Sequence, residues 1–384
     1  MTQIAILAGE ASGDLLGAGL CEALFAIDSK LELVGVTGPL MEKAGCASIA
    51  SIDRLSVMGF SAVIAKLPSI IVFHYELLAY FKKNKPDLII AIDAPDFNLR
   101  LEKKLKRLGM PVIHYVSPTV WAWKEKRIYK VQAACDVLLT IFPFEPDYYQ
   151  KINHPAYFIG HPLADQIPLE LNRHDACRVL GLDKAKRYVA LLPGSRRSEL
   201  ELLGPEFLKT ATLLAKNYAN VEFIAPMANE KRFIEFKKLC QEVAPELVIH
   251  RFLGQTREVV TASEAVLVTS GTATLETMLL KRPMVVAYKM STFNYFLAKY
   301  LVKTPFIAMP NIIANQMLVP EMIQDQVQAE LLYNELVYWL DHPEKVIRLK
   351  DRFNQLHQSL RKNASENAAT IALDLLDPKS KKER

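Results

Sequence analysis

The chain has 384 residues, with 47 Lys and Arg against 42 Asp and Glu, a net charge of +5 and a hydrophobic share of 51%. That length exceeds one ordinary core, so two domains are expected, and the composition excludes a disordered or fibrous chain apart from the charged end. The modest positive charge does not demand nucleic acid; it suits an anionic ligand or a membrane surface.

Strand-forming residues begin almost at Met1, without a basic and apolar leader, which predicts a protein that stays in the cytoplasm. Cys21, Cys46, Cys135, Cys177 and Cys240 are scattered and odd in number, with no CxxC pair. They read as reduced packing residues, neither a disulfide framework nor a metal site. The eight histidines form no HExxH pattern.

Residues 4–8 read as a short apolar strand, Gly9-Glu10-Ala11-Ser12-Gly13-Asp14 as a tight turn, and 15–25 as a helix. This opens like a nucleotide-binding α/β unit. The turn is not GxGxxG, however, and no acid follows a second strand at the dinucleotide spacing, so a simple chain reversal is favoured over a phosphate cradle. Glu10 and Ser12 still lie at a strand C-terminus, where substrates bind in open α/β sheets. Residues 31–36 give a second strand. The apolar stretch 61–81 approaches a membrane span in length, but Lys66, Pro68, His74 and Glu76 argue against crossing. A core-facing helix pair and a surface helix dipping into a bilayer both remain open.

Leu88-Ile89-Ile90-Ala91-Ile92 is a continuous apolar run, as in a strand buried on both faces of a parallel sheet. Asp93 follows at the strand end. Pro95 delays a regular helix, and Asp96 is expected to cap one beginning near Phe97. Asp93 either closes the turn or stands free toward a substrate. A helix over 97–108 and a strand over 112–116 follow. In Ser117-Pro118-Thr119-Val120-Trp121-Ala122-Trp123, the tryptophans either line a substrate wall or staple the turn to the core. A helix over 124–134, a strand over 137–142, a helix opening at 143–145 and a strand over 156–159 complete the first half. His161, just beyond, reads as structural.

Residues 164–187 look like a connection with a short helix at 175–180. Strands at 188–192, 221–225, 247–250, 265–268 and 284–288 then alternate with helices at 205–217, 232–243 and 272–280, predicting a second parallel sheet with helices on both faces. The stretches 294–303 and 328–376 read as helical and 379–384 as a solvated tail.

Two such domains with strand C-termini facing each other would form a cleft. Gly194 and Ser195 offer backbone N–H groups to a diphosphate, and Arg196 offers a planar fork. Gly271 and Thr272 open a helix whose dipole favours an anion by about 0.3–1 kcal/mol per charge. Glu276, one turn further on, alone reads as a surface acid; with the Gly-Thr turn it reads as an acceptor for a ribose diol. No DxD pattern occurs, so a leaving diphosphate would be neutralised by Arg196 and helix amides, and metal-independent activity without a cofactor is expected.

Ala8-Gly9-Glu10-Ala11-Ser12-Gly13-Asp14, Ile92-Asp93-Ala94-Pro95-Asp96-Phe97-Asn98, His114 through Trp123, Leu192-Pro193-Gly194-Ser195-Arg196 and Ser270-Gly271-Thr272-Ala273-Thr274-Leu275-Glu276 together resemble the lipid-A-disaccharide synthases. The resemblance runs in the same order from residue 4 to about 376. The Trp-Ala-Trp and Asp-Ala-Pro-Asp-Phe-Asn segments are specific to that family; the Leu-Pro-Gly-Ser-Arg and Ser-Gly-Thr segments are shared with related glycosyltransferases. It implies an α/β GT-B fold: two Rossmann-like doubly wound parallel-sheet domains, 1–165 and 166–345, facing across a cleft, with helices of 346–384 returning to the first. It implies inverting transfer of 2,3-diacylglucosamine from its UDP derivative to 2,3-diacylglucosamine 1-phosphate, at the cytoplasmic face of a Gram-negative inner membrane. Asp93 then matches the proposed general base and Arg196 the diphosphate-stabilising cation. Asn311 matches a position near donor or acceptor, and Glu10 and Ser12 stand on the acceptor side. The oligomeric state is left open, a homodimer included. Alternatives are another GT-B enzyme on UDP-GlcNAc, transferase or 2-epimerase, and a non-catalytic lipid carrier.

Overall fold

The structure, a computed structural model, describes residues 1–55, 60–292, 295–296, 301–302 and 304–377, with backbone alone for 60–67. The tail expected at 379–384 lies outside the described residues, as does most of the helix expected at 294–303. The chain divides into two compact units. One is Met1–Asp165 together with Leu360–Arg384, the other Gln166–Ser359.

The first unit is built on β1 (Gln3–Ala8), β2 (Glu32–Thr37), β3 (Ala47–Ser51), β4 (Leu88–Ile92), β5 (Val112–Tyr115), β6 (Val137–Thr140) and β7 (Ala156–Phe158), in the order β3-β2-β1-β4-β5-β6-β7. Every neighbouring pair is parallel. All five residues of β4 are fully buried, as its unbroken apolar run requires. The sequence reading omits β3: its residues, Ala-Ser-Ile-Ala-Ser, alternate weakly and are exposed or only partly buried on the sheet edge. Helix Ala364–Leu376 belongs to this unit, where Ala364, Ala368, Ala369 and Ala372 join the core and pack the helix on Ala11–Ile27.

The second unit holds β8 (Arg187–Leu192), β9 (Val221–Met227), β10 (Ile249–Leu253), β11 (Ala265–Thr269), β12 (Met284–Tyr288) and β13 (Glu321–Ile323), in the order β10-β9-β8-β11-β12-β13, again all parallel. The helix expected from 205 begins at Arg197 and runs through Pro205. Leu200, Leu203, Phe207, Leu208 and Ala211 are buried at helical spacing, and that burial outweighs the missing proline N–H. The stretch 328–376 is three helices, Ala329–Asp341, Pro343–Leu360 and Ala364–Leu376. The middle one stays with the second unit, so the chain returns to the first at Leu360 and not at 346.

Candidate active site

In the first unit, β4 ends in a tight reversal. Asp93 and Ala94 are both left-handed, with φ of 52° and 43°. Such residues cost on the order of 1–3 kcal/mol each unless the surroundings fix them. Here Asn98, 1% exposed, donates from Nδ2 to the carbonyls of Ile92 (3.2 Å) and Asp93 (2.8 Å). The Asp93 N–H donates to the Tyr115 carbonyl at 2.8 Å. The helix starts at Pro95 behind Ala94, with no side-chain cap. Asp96 is therefore not the expected cap: its exposed carboxylate pairs with Arg127 at 2.7 Å.

His114 on β5 pairs in register with Ala91, which puts its side chain on the same sheet face as the Asp93 position. Its Nδ1 lies 2.6 Å from Glu102 Oε1, both side chains fully buried. Burial raises the Asp93 carboxyl above its ordinary range, and the charge of nearby His114 offsets part of that. The sequence reading gave no role to this pair, whose signal is a histidine inside the apolar run of β5. The turn after β1 lies alongside: a β-carbon on Gly9 would meet the Ala94 β-carbon at 2.6 Å. Glu10 is exposed on that turn and Ser12 in the first turn of helix Ala11–Ile27, which starts four residues before the expected 15, and Asp14 is buried, accepting from the amides of Gly38, Leu40 and Met41.

The two tryptophans separate. Trp121 donates to Glu145 Oε1 at 3.3 Å and meets Phe144 edge-on, so it staples the turn. Glu145, 1% exposed, also accepts from the amides of Ile141 and Phe142, and burial pushes its carboxyl up to about 8. Trp123 is 36% exposed and carries the Lys124 ammonium 4.0 Å above its ring. His161 is buried, which lowers it to about 4, and its Nδ1 accepts from the Leu163 amide, a structural arrangement.

In the second unit, Gly194, Ser195, Arg196, Gly271, Thr272 and Glu276 all line one cavity of 320 Å³ at the C-terminal ends of β8 and β11. Glu199, which the sequence reading places in the loop without a role, lines it too. Its Oε2 accepts from the backbone N–H of Ser195 and of Arg196, both at 3.1 Å. The Ser195 amide is thus taken up inside the loop and is not free for a diphosphate as expected. The Arg196 side chain is 79% exposed and, among the described residues, held by Glu199 alone at 3.0 Å, so it can swing onto an anion. Gly271, at φ 146°, leads into helix Thr272–Leu279, which has no side-chain cap, so its first amides remain available to a ligand. Glu276 pairs with Arg257 Nε at 3.1 Å. Arg257 lies in helix Thr256–Ala262, which the sequence reading passes over.

Asn311 stands behind this wall and not in it. It is fully buried, donating to the Val319 carbonyl (2.9 Å) and Glu321 Oε1 (2.8 Å) and accepting from the amides of Leu318 and Val319. Glu321 in turn accepts from the amides of Ile307 and Ala308. The Ile307 carbonyl accepts from Ser270 Oγ, and the Met309 amide donates to Thr274 Oγ1. Asn311 therefore braces the segment on which the Ser270–Thr274 loop rests.

An uncapped helix N-terminus, a swinging guanidinium and a carboxylate one turn away suit a nucleoside diphosphate, and two parallel α/β units of this kind define the GT-B class of sugar-nucleotide enzymes. The fold agrees with solved structures. The S. aureus MnaA–UDP co-structure has a TM-score of 0.68 at 11% identity, covering 97% of this chain and 96% of that one. UDP-GlcNAc 2-epimerase from Neisseria meningitidis bound to UDP-GlcNAc has a TM-score of 0.64 at 10% identity, covering 98% and 99%.

Sequence comparison narrows the class. The lipid-A-disaccharide synthetase family profile matches residues 4–375. The lipid-A-disaccharide synthase of Haemophilus influenzae strain Rd is 46% identical over 380 residues, 98% of this chain and 97% of that protein. That of Actinobacillus pleuropneumoniae serotype 7 is 45% identical over 378 residues, 97% and 96%. The chain belongs to the lipid-A-disaccharide synthase family and is a glycosyltransferase.

Proposed function

We propose that Asp93 is the general base, and Arg196 the diphosphate-stabilising cation, of the transfer that makes the lipid A disaccharide. The donor is UDP-2,3-diacylglucosamine and the acceptor 2,3-diacylglucosamine 1-phosphate. The acceptor 6-hydroxyl oxygen attacks the anomeric carbon, and its proton passes to the Asp93 carboxylate. The bond from that carbon to the diphosphate oxygen breaks, UDP leaves with the electron pair, and the configuration inverts to a β-1,6 link. General-base assistance supplies roughly 10²–10⁴-fold, or about 3–5 kcal/mol. Arg196 and the first amides of helix Thr272–Leu279 stabilise the charge developing on the diphosphate, and Glu276 accepts from the ribose hydroxyls. Glu10 and Ser12 line the acceptor side. The reaction uses no divalent ion.

The observation that carries this reading is the cavity shared by Gly194, Ser195, Arg196, Gly271, Thr272 and Glu276. The test is incubation with both acylated sugars in EDTA and mass analysis for the disaccharide 1-phosphate. Wild type forms it, and Asp93→Asn forms it about 10²–10⁴-fold more slowly. A wild type that needs added magnesium removes the metal-free step.

Acylated substrates also require access to a lipid surface. Helix Phe60–Lys83 buries Phe73, Leu77 and Phe81 and exposes Ile71, Val72 and Tyr75, each about half or more. Lys82 and Lys83 close its last turn. An apolar stripe with cations at its end fits an interfacial helix, so the enzyme works peripherally at the cytoplasmic face of the inner membrane. Among the described residues, no helix is long and apolar enough to cross a membrane.

A further inference from the structure

The second unit has another cavity, of 430 Å³, at the opposite end of its sheet. Arg187 opens β8, Glu264 immediately precedes β11, and Arg282 stands just before β12, so these residues mark the N-terminal strand ends. The nucleotide cavity lies at the C-terminal ends, about 15–20 Å away along strands of this length. Arg173 and Lys350 complete a wall of four cations facing one carboxylate.

The guanidiniums are partly engaged. Arg173 donates to the carbonyls of Ala262, Lys184 and Lys186; Arg282 donates twice to that of Thr261; Arg187 bonds Glu264 and the Leu340 carbonyl. Lys350 has no hydrogen bond or direct ion pair among the described residues. Burial and the Arg282 charge lower its pKa, and burial lowers that of Arg282 to about 10. The opposite wall is apolar, with Leu340, Ile347 and Trp339. Trp339 is 8% exposed, and its buried indole N–H has no acceptor among the described residues. Native interiors rarely leave a buried donor orphaned, and Arg282 is buried while Arg173, Arg187 and Lys350 are partly buried, with Glu264 as the one carboxylate among them.

We propose that this cavity is a second ligand site, for an organic phosphate monoester: the phosphate on Lys350 and the arginine wall, its apolar or aromatic body against Trp339 and Ile347. A dianion matches the uncompensated charge, a lysine ammonium with free donors is a common phosphate partner, and the cavity volume lies in the range of small-ligand pockets. The site is independent of the transfer reaction and shares no residue with the nucleotide cavity.

Trp339 reports on it directly, since the other two tryptophans, Trp121 and Trp123, lie in the first unit. The test uses the full chain with Trp121→Phe and Trp123→Phe, titrated with phenyl phosphate and with inorganic phosphate while Trp339 fluorescence is followed. The expected result is a saturable change at sub-millimolar phenyl phosphate, with inorganic phosphate weaker. Lys350→Met weakens the response about tenfold or more, as loss of one charge-assisted contact should, while UDP affinity by calorimetry stays at the parent value. Lys350→Gln, which keeps a polar side chain, serves if the methionine variant does not fold. No Trp339 response at millimolar phenyl phosphate overturns the proposal. So does a response that survives both Lys350 variants, or one that Arg196→Ala abolishes.

Discussion

Gly9 and Ala94 are in contact so close that a β-carbon on the glycine would sit 2.6 Å from the alanine's own. β1 and β4 are neighbours, and this contact seats the turn that leads through Glu10 into helix Ala11–Ile27 against the turn of Asp93. Gly9→Val must displace Ala94, which is already left-handed. Misplacing a catalytic group by about 1 Å costs roughly 10²-fold in rate. Turnover should fall by that order while UDP affinity, which belongs to the other unit, holds; kinetics and calorimetry on one preparation check this.

Asp93→Asn should lower turnover by about 10²–10⁴-fold without loss of fold, since asparagine tolerates the left-handed backbone. Because burial raises the Asp93 pKa, the acid limb of wild-type kcat/KM should lie above the ordinary carboxylate range. The stability sign follows. A raised folded pKa favours the neutral carboxyl, and that stability is present below the unfolded pKa and lost as pH rises through the folded one. At neutral pH the asparagine variant should melt higher than wild type, and the gap should close in acid. A variant that melts lower at neutral pH would count against burial as the cause.

Glu145 gives a second pH signature. Its carboxyl, raised by burial to about 8, is neutral at pH 7. The stability it contributes in that form is lost as pH rises through about 8. Thermal melts of wild type should decline across that window more steeply than those of Glu145→Gln. Trp121 emission should change over the same range, because its indole bonds the titrating group.

Gly271→Ala isolates backbone strain. A β-carbon there meets nothing within 4 Å, yet φ is 146°. Placing an L side chain in that region costs about 1–3 kcal/mol. Relief by shifting the start of helix Thr272–Leu279 should weaken UDP binding about tenfold, in line with a cost near 1.4 kcal/mol. Calorimetric titration with UDP measures it.

Asn311→Ala leaves the amides of Leu318 and Val319 and the carbonyl of Val319 without their Asn311 partner, while Glu321 Oε1 keeps the amides of Ile307 and Ala308. Each orphaned buried group costs about 1–3 kcal/mol. A stability loss of about 2–4 kcal/mol is expected by denaturant titration, with KM for the donor raised more than kcat is lowered. The reverse split would mean that Asn311 touches the reacting atoms.

What could be read from the sequence follows burial. β4 and β11 are legible because both faces are covered and their residues form unbroken apolar runs. β3 and β13 sit at sheet edges, are only partly covered, and carry no such run. Pro205 obscured the start of its helix because the signal that sets it is Glu199 reaching back to the Arg196 amide. Six of the residues lining the nucleotide cavity, Gly194, Ser195, Arg196, Gly271, Thr272 and Glu276, could be named from glycine, arginine and helix-start patterns. Their supports could not: His114 meets Glu102 across a strand and a helix, and Asn311 acts through Glu321. Such pairings depend on how elements pack, which local pattern does not encode.

The first unit takes its final helix from the far end of the chain, and Ala364, Ala368, Ala369 and Ala372 finish its core. During synthesis, Asp165 emerges long before Ala364, and at about 5–20 residues per second the wait lasts on the order of ten seconds or more. Helix Ala11–Ile27 stays partly uncovered on the ribosome for that interval, a stretch in which a chaperone would have something to hold. A stop codon just after Ser359 would therefore damage the domain made first and leave the one made last nearly whole.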